Sequence, residues 1–319
     1  MPYKKYPLLS KKKLKSGDAP LTESLIHNDT FAHPFQSGSD FSSFLESLPN
    51  INAASDFKQF VQNLRNARQK EKPIILGLGS SVAQLGLNPI IIDLMERGWV
   101  SAIAVESAFM INDFEIALSG KIAPYTPNKP IQFSYFNKDE TGLFLNVALK
   151  DGYDQNLGAG EAVGHYLISS SFSFNHFSIF YKAYKLNIPV TVHPAIGMDF
   201  IHYHPKFDGA IAGALTETDF MLFSSVISMI GNGGIYINIQ SPYILPGIFL
   251  NALSFCNGVD KEVKQFHTGI FKDGNCSHQM EYNIIDRSIM AGGRGYKFEG
   301  SPEILFPMLA AALLNTGNS

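Results

Sequence analysis

The chain has 319 residues, a formal net charge of −3 and 45% hydrophobic residues. The near-neutral charge argues against a nucleic-acid-binding protein, which is usually distinctly basic, and the length allows one large α/β domain or two small ones. Two cysteines, Cys256 and Cys276, exclude a disulfide framework and a four-thiolate metal site, so we expect a reducing, cytoplasmic compartment.

Residues 1–35 are irregular and begin with the basic sequence MPYKKYPLLSKKKLKSG. This segment lacks the apolar core of a signal peptide. We predict a solvated tail or subunit-contacting arm followed by one domain over 36–319, and a basic patch for acidic partners is the alternative. No apolar run reaches the roughly 18 residues of a membrane span, so no membrane association is expected.

Helical apolar spacing from Phe41 to Gln69 precedes the most informative part of the chain, a unit over 72–120. KPIILGLG predicts a strand within 73–78, and SSVAQLGL predicts a small-residue turn. Asn88 and Pro89 are typical of a helix start. VSAIAVES predicts a second strand, and NDFEIALSG a second helix. An all-apolar first strand is typical of a parallel sheet buried on both faces.

The rest of the chain continues this alternation. We expect a loop-rich insertion over 121–158, then one long helix in EAVGHYLISSSFSFNHFSIFYKAYKL. IPVTVHP, DGAIAG, GGIYINI, KQFHTGIF and GRGYKFEG predict strands. TETDFMLFSSVISMI predicts a helix capped by Thr216, and ILPGIFLNALSF and PEILFPMLAAALL predict two more. Six or seven strands alternating with helices predict a Rossmann-like, doubly wound, mostly parallel sheet with helices on both faces.

The turn after the first strand is where a doubly wound sheet binds nucleotides, because glycines let the backbone approach a pyrophosphate. The glycines of GLGSSVAQLG do not match G-x-G-x-x-G, so a tight turn without a ligand is the alternative. Glu106 and Asp113 flank the end of the second strand, where an acid can bind ribose hydroxyls. For both acids, the alternative is a favourable charge at a helix N-terminus.

His193, Asp199, His202 and His204 form the densest group of titratable residues, in VHPAIGMDFIHYHP. Metal binding, contact with a substrate or cofactor, and structural hydrogen bonding all remain open. His202 and His204 share a face only in an extended strand, and no further Cys or Glu follows at a ligand spacing. We therefore predict that these histidines hold no metal.

Two later segments are weaker candidates. The polar stretch HTGIFKDGNCSHQMEYN is either a ligand-contacting loop or an ordinary surface loop. GGRG could present Arg294 to a phosphate or carboxylate, whose oxygen pair suits the planar guanidinium, and a plain surface arginine is the alternative. The sequence contains no G-x-S-x-G, G-x-x-x-x-G-K-[ST] or H-E-x-x-H motif.

Over roughly 41–314 the chain resembles the deoxyhypusine synthase family. ILGLGSSVAQLGLNPIIIDLMERGWVSAIAVESAFMINDFEIAL is similar to that family's cofactor half, and GYKFEGSPEILFPMLAAALL to its closing strand and helix. IPVTVHPAIGMDFIHYHP and GGIYINIQSPYILPGIFLNAL are similar to segments between them. The resemblance implies an NAD-dependent aminobutyl transfer from spermidine through an imine on a lysine, in a homotetramer.

The resemblance also implies site residues. The implied or candidate NAD contacts are Gly79, Ser80, Ser81, Gln84, Glu106, Ser107, Ala108, Asp199, Ser241, Thr268 and Gly269. The candidate substrate contacts are His202, His204, Asp113 and Arg294.

The chain departs from the family where the amine is handled. Aligned without gaps from the closing helix, the position of the family's catalytic lysine falls at Ser288, and no lysine occurs between Lys272 and Lys297. A polyamine-contacting histidine falls at Pro246. Imine chemistry needs a primary amine nucleophile, so the catalytic residue is unknown, with His204 and Lys297 as weak candidates.

Three functions follow from these observations. The first is a divergent, deoxyhypusine synthase-like transferase that uses NAD and acts on a polyamine or other small amine. The second is a non-catalytic protein that binds NAD or another nucleotide, because the lysine is absent. The third is an unrelated Rossmann-type oxidoreductase, which the failed glycine fingerprint and the family segments disfavour.

Overall fold

A computed structural model describes residues 27–122, 139–274 and 277–315, together with Lys12. Its centre is a six-stranded, all-parallel sheet in the order β3-β2-β1-β4-β5-β6. The strands are β1 (Ile74–Leu78), β2 (Ala102–Glu106), β3 (Val190–His193), β4 (Ile235–Ile239), β5 (His267–Lys272) and β6 (Arg294–Glu299). This architecture confirms the predicted fold class, and β1 lies within the predicted 73–78.

Both faces of the sheet are covered, which explains why β1 is apolar throughout. All five of its residues are buried. Leu76 and Leu78 point into one hydrophobic core, while Ile75 points into the second, where it joins Tyr236. Since side chains alternate along a strand, a strand between two cores needs apolar residues at every position.

The helices flank the sheet on both sides. Their bounds are α1 (Phe41–Ser47), α2 (Asn52–Gln69), α3 (Asn88–Glu96), α4 (Ser107–Ser119), α5 (Asp139–Asp154), α6 (Ala159–Ser169), α7 (Ile179–Leu186), α8 (Gly209–Ile227), α9 (Ile244–Gly258), α10 (His278–Met280), α11 (Arg287–Met290) and α12 (Pro302–Leu314), with a π-helix over Glu281–Asp286 between α10 and α11. The helix α8 is long and apolar enough to cross a membrane, a test that buried helices of water-soluble proteins also pass.

Three local predictions were wrong. DGAIAG is the first part of α8 and not a strand, because Asp208 caps this helix by accepting hydrogen bonds from the N–H groups of Ala210 and Ile211. Thr216 therefore lies inside α8 and does not cap it. The predicted long helix is two helices, α6 and α7, because the serine-rich segment between them ends in Ser178, which caps α7.

The predicted insertion over 121–158 contains the helix α5, whose apolar positions Leu145 and Leu149 are buried. Its residues 123–138 lie outside the described residues, as does most of the predicted N-terminal arm. The prediction of a loop-rich segment was therefore wrong over Asp139–Asp154.

Candidate functional site

The strand order reverses at β1, which has β2 on one side and β4 on the other. In open α/β sheets ligands bind at such a switch point, outside the carboxyl ends of the strands. Residues 79–81, 106–108, Asp199 and Ser241 lie at these ends, and we call this region the crevice. It brings together segments that are far apart in the sequence.

Gly79 begins the turn after β1 and packs against the end of β4. Its N–H donates to the carbonyl oxygen of Ile239 at 2.8 Å. A Cβ atom added at Gly79 would lie 1.9 Å from the carbonyl oxygen of Gln240, which no side chain can tolerate. The sequence needs glycine here for the approach of two strands, whatever ligand the turn binds.

Glu106 ends β2 and connects the turns that follow β1 and β4. Its Oε2 atom accepts a hydrogen bond from the N–H of Ser80 at 3.1 Å, and its Oε1 atom accepts one from the Ser241 hydroxyl at 2.5 Å. Burial raises the pKa of Glu106, although both hydrogen bonds oppose the shift, and the charge of Asp199 adds to it. A carboxylate has about four acceptor positions, so each oxygen keeps capacity for a ligand donor.

Asp199 places a second carboxylate beside Glu106. It precedes the short 3-10 helix Phe200–Tyr203, and its Oδ2 accepts a hydrogen bond from the Ser107 hydroxyl. The residues that form the crevice include two carboxylates and several hydroxyls but no lysine or arginine. Such a set recognises hydroxyl or ammonium donors and repels an unshielded anion.

The helix α4 starts at Ser107, so its N-terminus faces the crevice and its dipole favours negative charge there. Its Asn112 side chain donates to the carbonyl oxygen of Ser80 at 2.9 Å and fixes the turn after β1. Sequence reasoning missed Asn112, because this contact is visible only when α4 is placed beside the turn. It also missed Tyr243, which comes two residues after Ser241 and is 78% exposed.

The three predicted histidines do not converge. His193 is buried at the end of β3, where Nε2 lies 3.0 Å from the Thr191 hydroxyl and burial lowers its pKa to about 3. His202 accepts the N–H of Gly197 through Nδ1 at 3.2 Å, and burial lowers its pKa. His204 accepts a backbone N–H from Lys206 instead. No group of three metal-ligating side chains occurs among the described residues.

Asp113 has a structural position. It is completely buried, where Ser178 donates its hydroxyl to Oδ2 at 2.5 Å and the N–H of Ile179 donates to Oδ1 at 2.9 Å. Asn88 donates to the same carboxylate at 2.7 Å. Burial raises the pKa of Asp113 to about 6. Asp113, which we expected to contact the substrate, fixes the start of α7 in this structure.

Thr268 and Gly269, expected as NAD contacts, lie deep in β5. Thr268 is paired with Tyr236 of β4. Tyr236 comes four residues before Gln240, so Thr268 lies about 13 Å along the strand direction from the end of β4. A Cβ atom on Gly269 would lie 2.5 Å from the ring of Phe60, so this glycine serves core packing. Both residues therefore lie away from the carboxyl ends of the strands that form the crevice, and their contact with NAD stays a prediction.

Ser288 lies at the same depth as Thr268. It is completely buried, and its hydroxyl oxygen lies 2.9 Å from that of Thr268. Lys297 lies on β6 and forms an ion pair with Glu281 at 2.8 Å. Arg294 starts β6 at the amino edge, opposite the crevice, where its N–H donates to His267. None of the three lies among the residues that form the crevice, and the expected roles of Arg294 and Lys297 stay predictions.

The remaining residues predicted to contact the cofactor lie in or next to the crevice. Ser80 and Ser81 are half-buried in the turn after β1, and Gln84 is exposed further along the same turn. Ala108 follows Ser107 in the first turn of α4. The structure thus places most of the predicted cofactor contacts along one edge of the sheet.

No protein-family profile matches the sequence, and no curated protein matches it. The fold has solved relatives. A conserved LOR/SDH-type protein from Methanococcus maripaludis S2 has a TM-score of 0.50 and 15% identity, over 82% of this chain and 70% of that one. A candidate deoxyhypusine synthase from Entamoeba histolytica has a TM-score of 0.49 and 13% identity, over 89% and 96%. The AgrE complex with ornithine and NAD+ has a TM-score of 0.47 and 15% identity, over 81% and 32%.

The chain spans about a third of the length of AgrE, and 34% of the cyanobacterial arginine dihydrolase ArgZ. At such identities these likenesses concern the fold.

Proposed function

We propose that the crevice binds NAD and that the protein uses it in a reaction on a small amine, as a deoxyhypusine synthase-like protein without that family's lysine. The observation that carries the proposal is the strand order, which matches the dinucleotide-binding arrangement. Glu106 ends the second strand beside the switch point. This is where such folds hold an acid for the ribose of the cofactor.

The residues of the crevice suit this cofactor. The free acceptor positions of Glu106 would take ribose hydroxyls, and the turn that begins at Gly79 presents backbone and serine groups without bulky side chains. The backbone N–H groups of the turn after β1 would face the pyrophosphate, in place of a basic side chain. When bound, NAD supplies a hydride acceptor.

The second part of the proposal concerns the amine. Asp199, held by the Ser107 hydroxyl and adjacent to Glu106, would bind an ammonium group by charge-assisted hydrogen bonds. Because Ser288 is buried and cannot form an imine, the acceptor amine would add directly to the C=N carbon of the oxidised substrate, and the original nitrogen would leave as a free amine. No covalent link to the protein is then needed.

A non-catalytic NAD-binding protein is the second candidate. The absence of a lysine at the Ser288 position, together with the distance of Lys297 from the crevice, favours it. NADH formation distinguishes the two functions. Purified protein with NAD and a panel of amines should produce NADH if the protein is an enzyme and none if it only binds.

The test of the site is NAD binding by calorimetry to the parent and to Glu106→Gln. The variant keeps the size of the side chain and removes its charge. Hydrogen bonds to charged groups contribute about 1.5–3 kcal/mol, so affinity should fall roughly 10- to 100-fold. Glu71→Gln, the same change on the exposed segment before β1 at the opposite edge, is the matched control. Equal losses in both variants, or none in either, would place the cofactor elsewhere.

We also propose a cytoplasmic homotetramer in which 36–319 forms one domain. This rests on the resemblance in sequence to the deoxyhypusine synthase family. Sedimentation equilibrium tests the oligomeric state, and a monomer at micromolar concentration would contradict it.

A further inference from the structure

Two cavities on the side of the crevice share a wall. The inner pocket lies beneath Ser107 and has a volume of about 20 Å³, room for roughly one water molecule. The outer cavity opens between α5 and the start of α8 and measures about 410 Å³. Leu149, Phe207 and Ala212 line both of them. These three side chains therefore separate the outer cavity from the inner pocket.

Phe207 is the largest side chain of this shared wall. It is half-buried, and its ring meets the ring of His202 edge-on at 4.9 Å between centroids. His202 accepts a backbone N–H through Nδ1, so its neutral ring carries the hydrogen on Nε2. A change of the Phe207 rotamer would join the two cavities beside the polar end formed by Ser107 and His202.

Away from this polar end, the lining of the inner pocket is apolar except for the hydroxyl-bearing Thr216. Its further apolar walls are Met110, Ala159, Val192, Pro194, Ile201 and Leu215. None of the described residues that line it is charged. At the outer mouth lie two lysines and two aspartates, and one of these lysines, Lys150, is ion-paired with Asp154.

We propose that this joined cavity holds the hydrocarbon tail of the substrate, and that the substrate is a straight-chain monoamine with its ammonium group at Asp199. The Ser107 hydroxyl, which donates to Asp199, marks the point where the pocket meets the crevice. A second ammonium group along the chain would enter a pocket lined by apolar side chains and the neutral Thr216, without a charged partner, which is costly. The proposal rests on the amine-binding part of the proposed function and departs from polyamine chemistry.

The test compares pentylamine with cadaverine, the diamine of the same chain length, by calorimetry without NAD. The monoamine should bind at least about tenfold more tightly, and each further methylene from propylamine to pentylamine should add roughly fourfold. Equal or tighter binding of cadaverine, a flat alkyl series, or no binding of any amine would overturn the proposal. NAD binding is measured separately, so a failure here leaves the cofactor site standing.

Phe207→Ala tests the shared wall. Removing the ring should let heptylamine bind roughly tenfold more tightly than it binds the parent, because two more methylenes become buried. Phe255→Ala, at an exposed phenylalanine of α9, is the control and should change nothing. Unchanged heptylamine affinity in Phe207→Ala would show that the tail does not cross this wall. Thermal melting of both variants confirms that they fold.

Discussion

Asp219 connects three elements from a position with no exposed surface. Its Oδ2 atom accepts hydrogen bonds from the N–H of Gly160 at 3.0 Å and from that of Val192 at 2.7 Å. It therefore ties α8 to the start of α6 and to β3. Burial raises the pKa of Asp219 from 3.8 to about 7, against these hydrogen bonds.

The sign of the resulting pH dependence follows from the direction of this shift. Folded Asp219 keeps its proton at pH values where the unfolded chain has already released it. Its contribution to stability is complete below about pH 3.8 and is lost as the pH rises through about 7. A difference of about three pKa units corresponds to at most about 4 kcal/mol.

Asp219→Asn keeps the shape and an acceptor oxygen but cannot titrate. The parent's free energy of unfolding minus that of the variant should therefore fall by up to about 4 kcal/mol between about pH 4 and pH 8. Urea unfolding followed by circular dichroism measures both. Asp208→Asn, an exposed carboxyl at the start of the same helix, is the matched control. A difference that stays constant or increases with pH would refute the reasoning.

Three further predictions concern the crevice and its surroundings. NADP+ should bind at least about tenfold more weakly than NAD+ in calorimetric titrations, because its extra phosphate would face the carboxylates of Glu106 and Asp199; equal affinity would contradict this. Gly79→Ala should lower both the affinity for NAD and the midpoint of unfolding, because the added Cβ would clash with the backbone of Gln240. Gly213 has open space around it, so the control Gly213→Ala should not destabilise the protein. Protein purified without added metal should contain no stoichiometric zinc by elemental analysis, because the histidines after β3 do not converge.

The part of the fold that could be predicted from sequence is the part that local pattern determines. The apolar run of β1 specifies burial on both sides, and the residues that directly follow strands are placed at the carboxyl edge by parallel topology alone. Glu106, Asp199 and Ser241 could be placed in this way. Ser241 and Thr268 were both assigned from the resemblance, but only Ser241 follows a strand, whereas Thr268 lies near the start of β5.

The contacts that sequence reasoning missed connect distant segments. Asp113 reaches Ile179, and Asp219 reaches Gly160, so each caps a helix that belongs to another part of the chain. A local pattern shows an acid or a helix start, but it does not show which acid meets which helix. Asn112 was missed for the same reason. The predicted strand in DGAIAG failed differently, since Asp208 supplies a cap that favours helix over a short apolar run.

The last prediction concerns the missing lysine. We expect no deoxyhypusine synthesis on the eukaryotic acceptor protein, because Ser288 is not a lysine and is buried beside Thr268. The candidate substitute, Lys297, forms an ion pair with Glu281 and lies on β6, three strands from β1. Strands lie about 4.8 Å apart, so this separation is roughly 14 Å before any difference in height. If the protein oxidises an amine, borohydride with NAD and labelled spermidine should trap no label on the chain. A labelled lysine found by peptide mapping would refute direct transfer and identify the nucleophile, and Lys297→Arg would then show whether that lysine is the one.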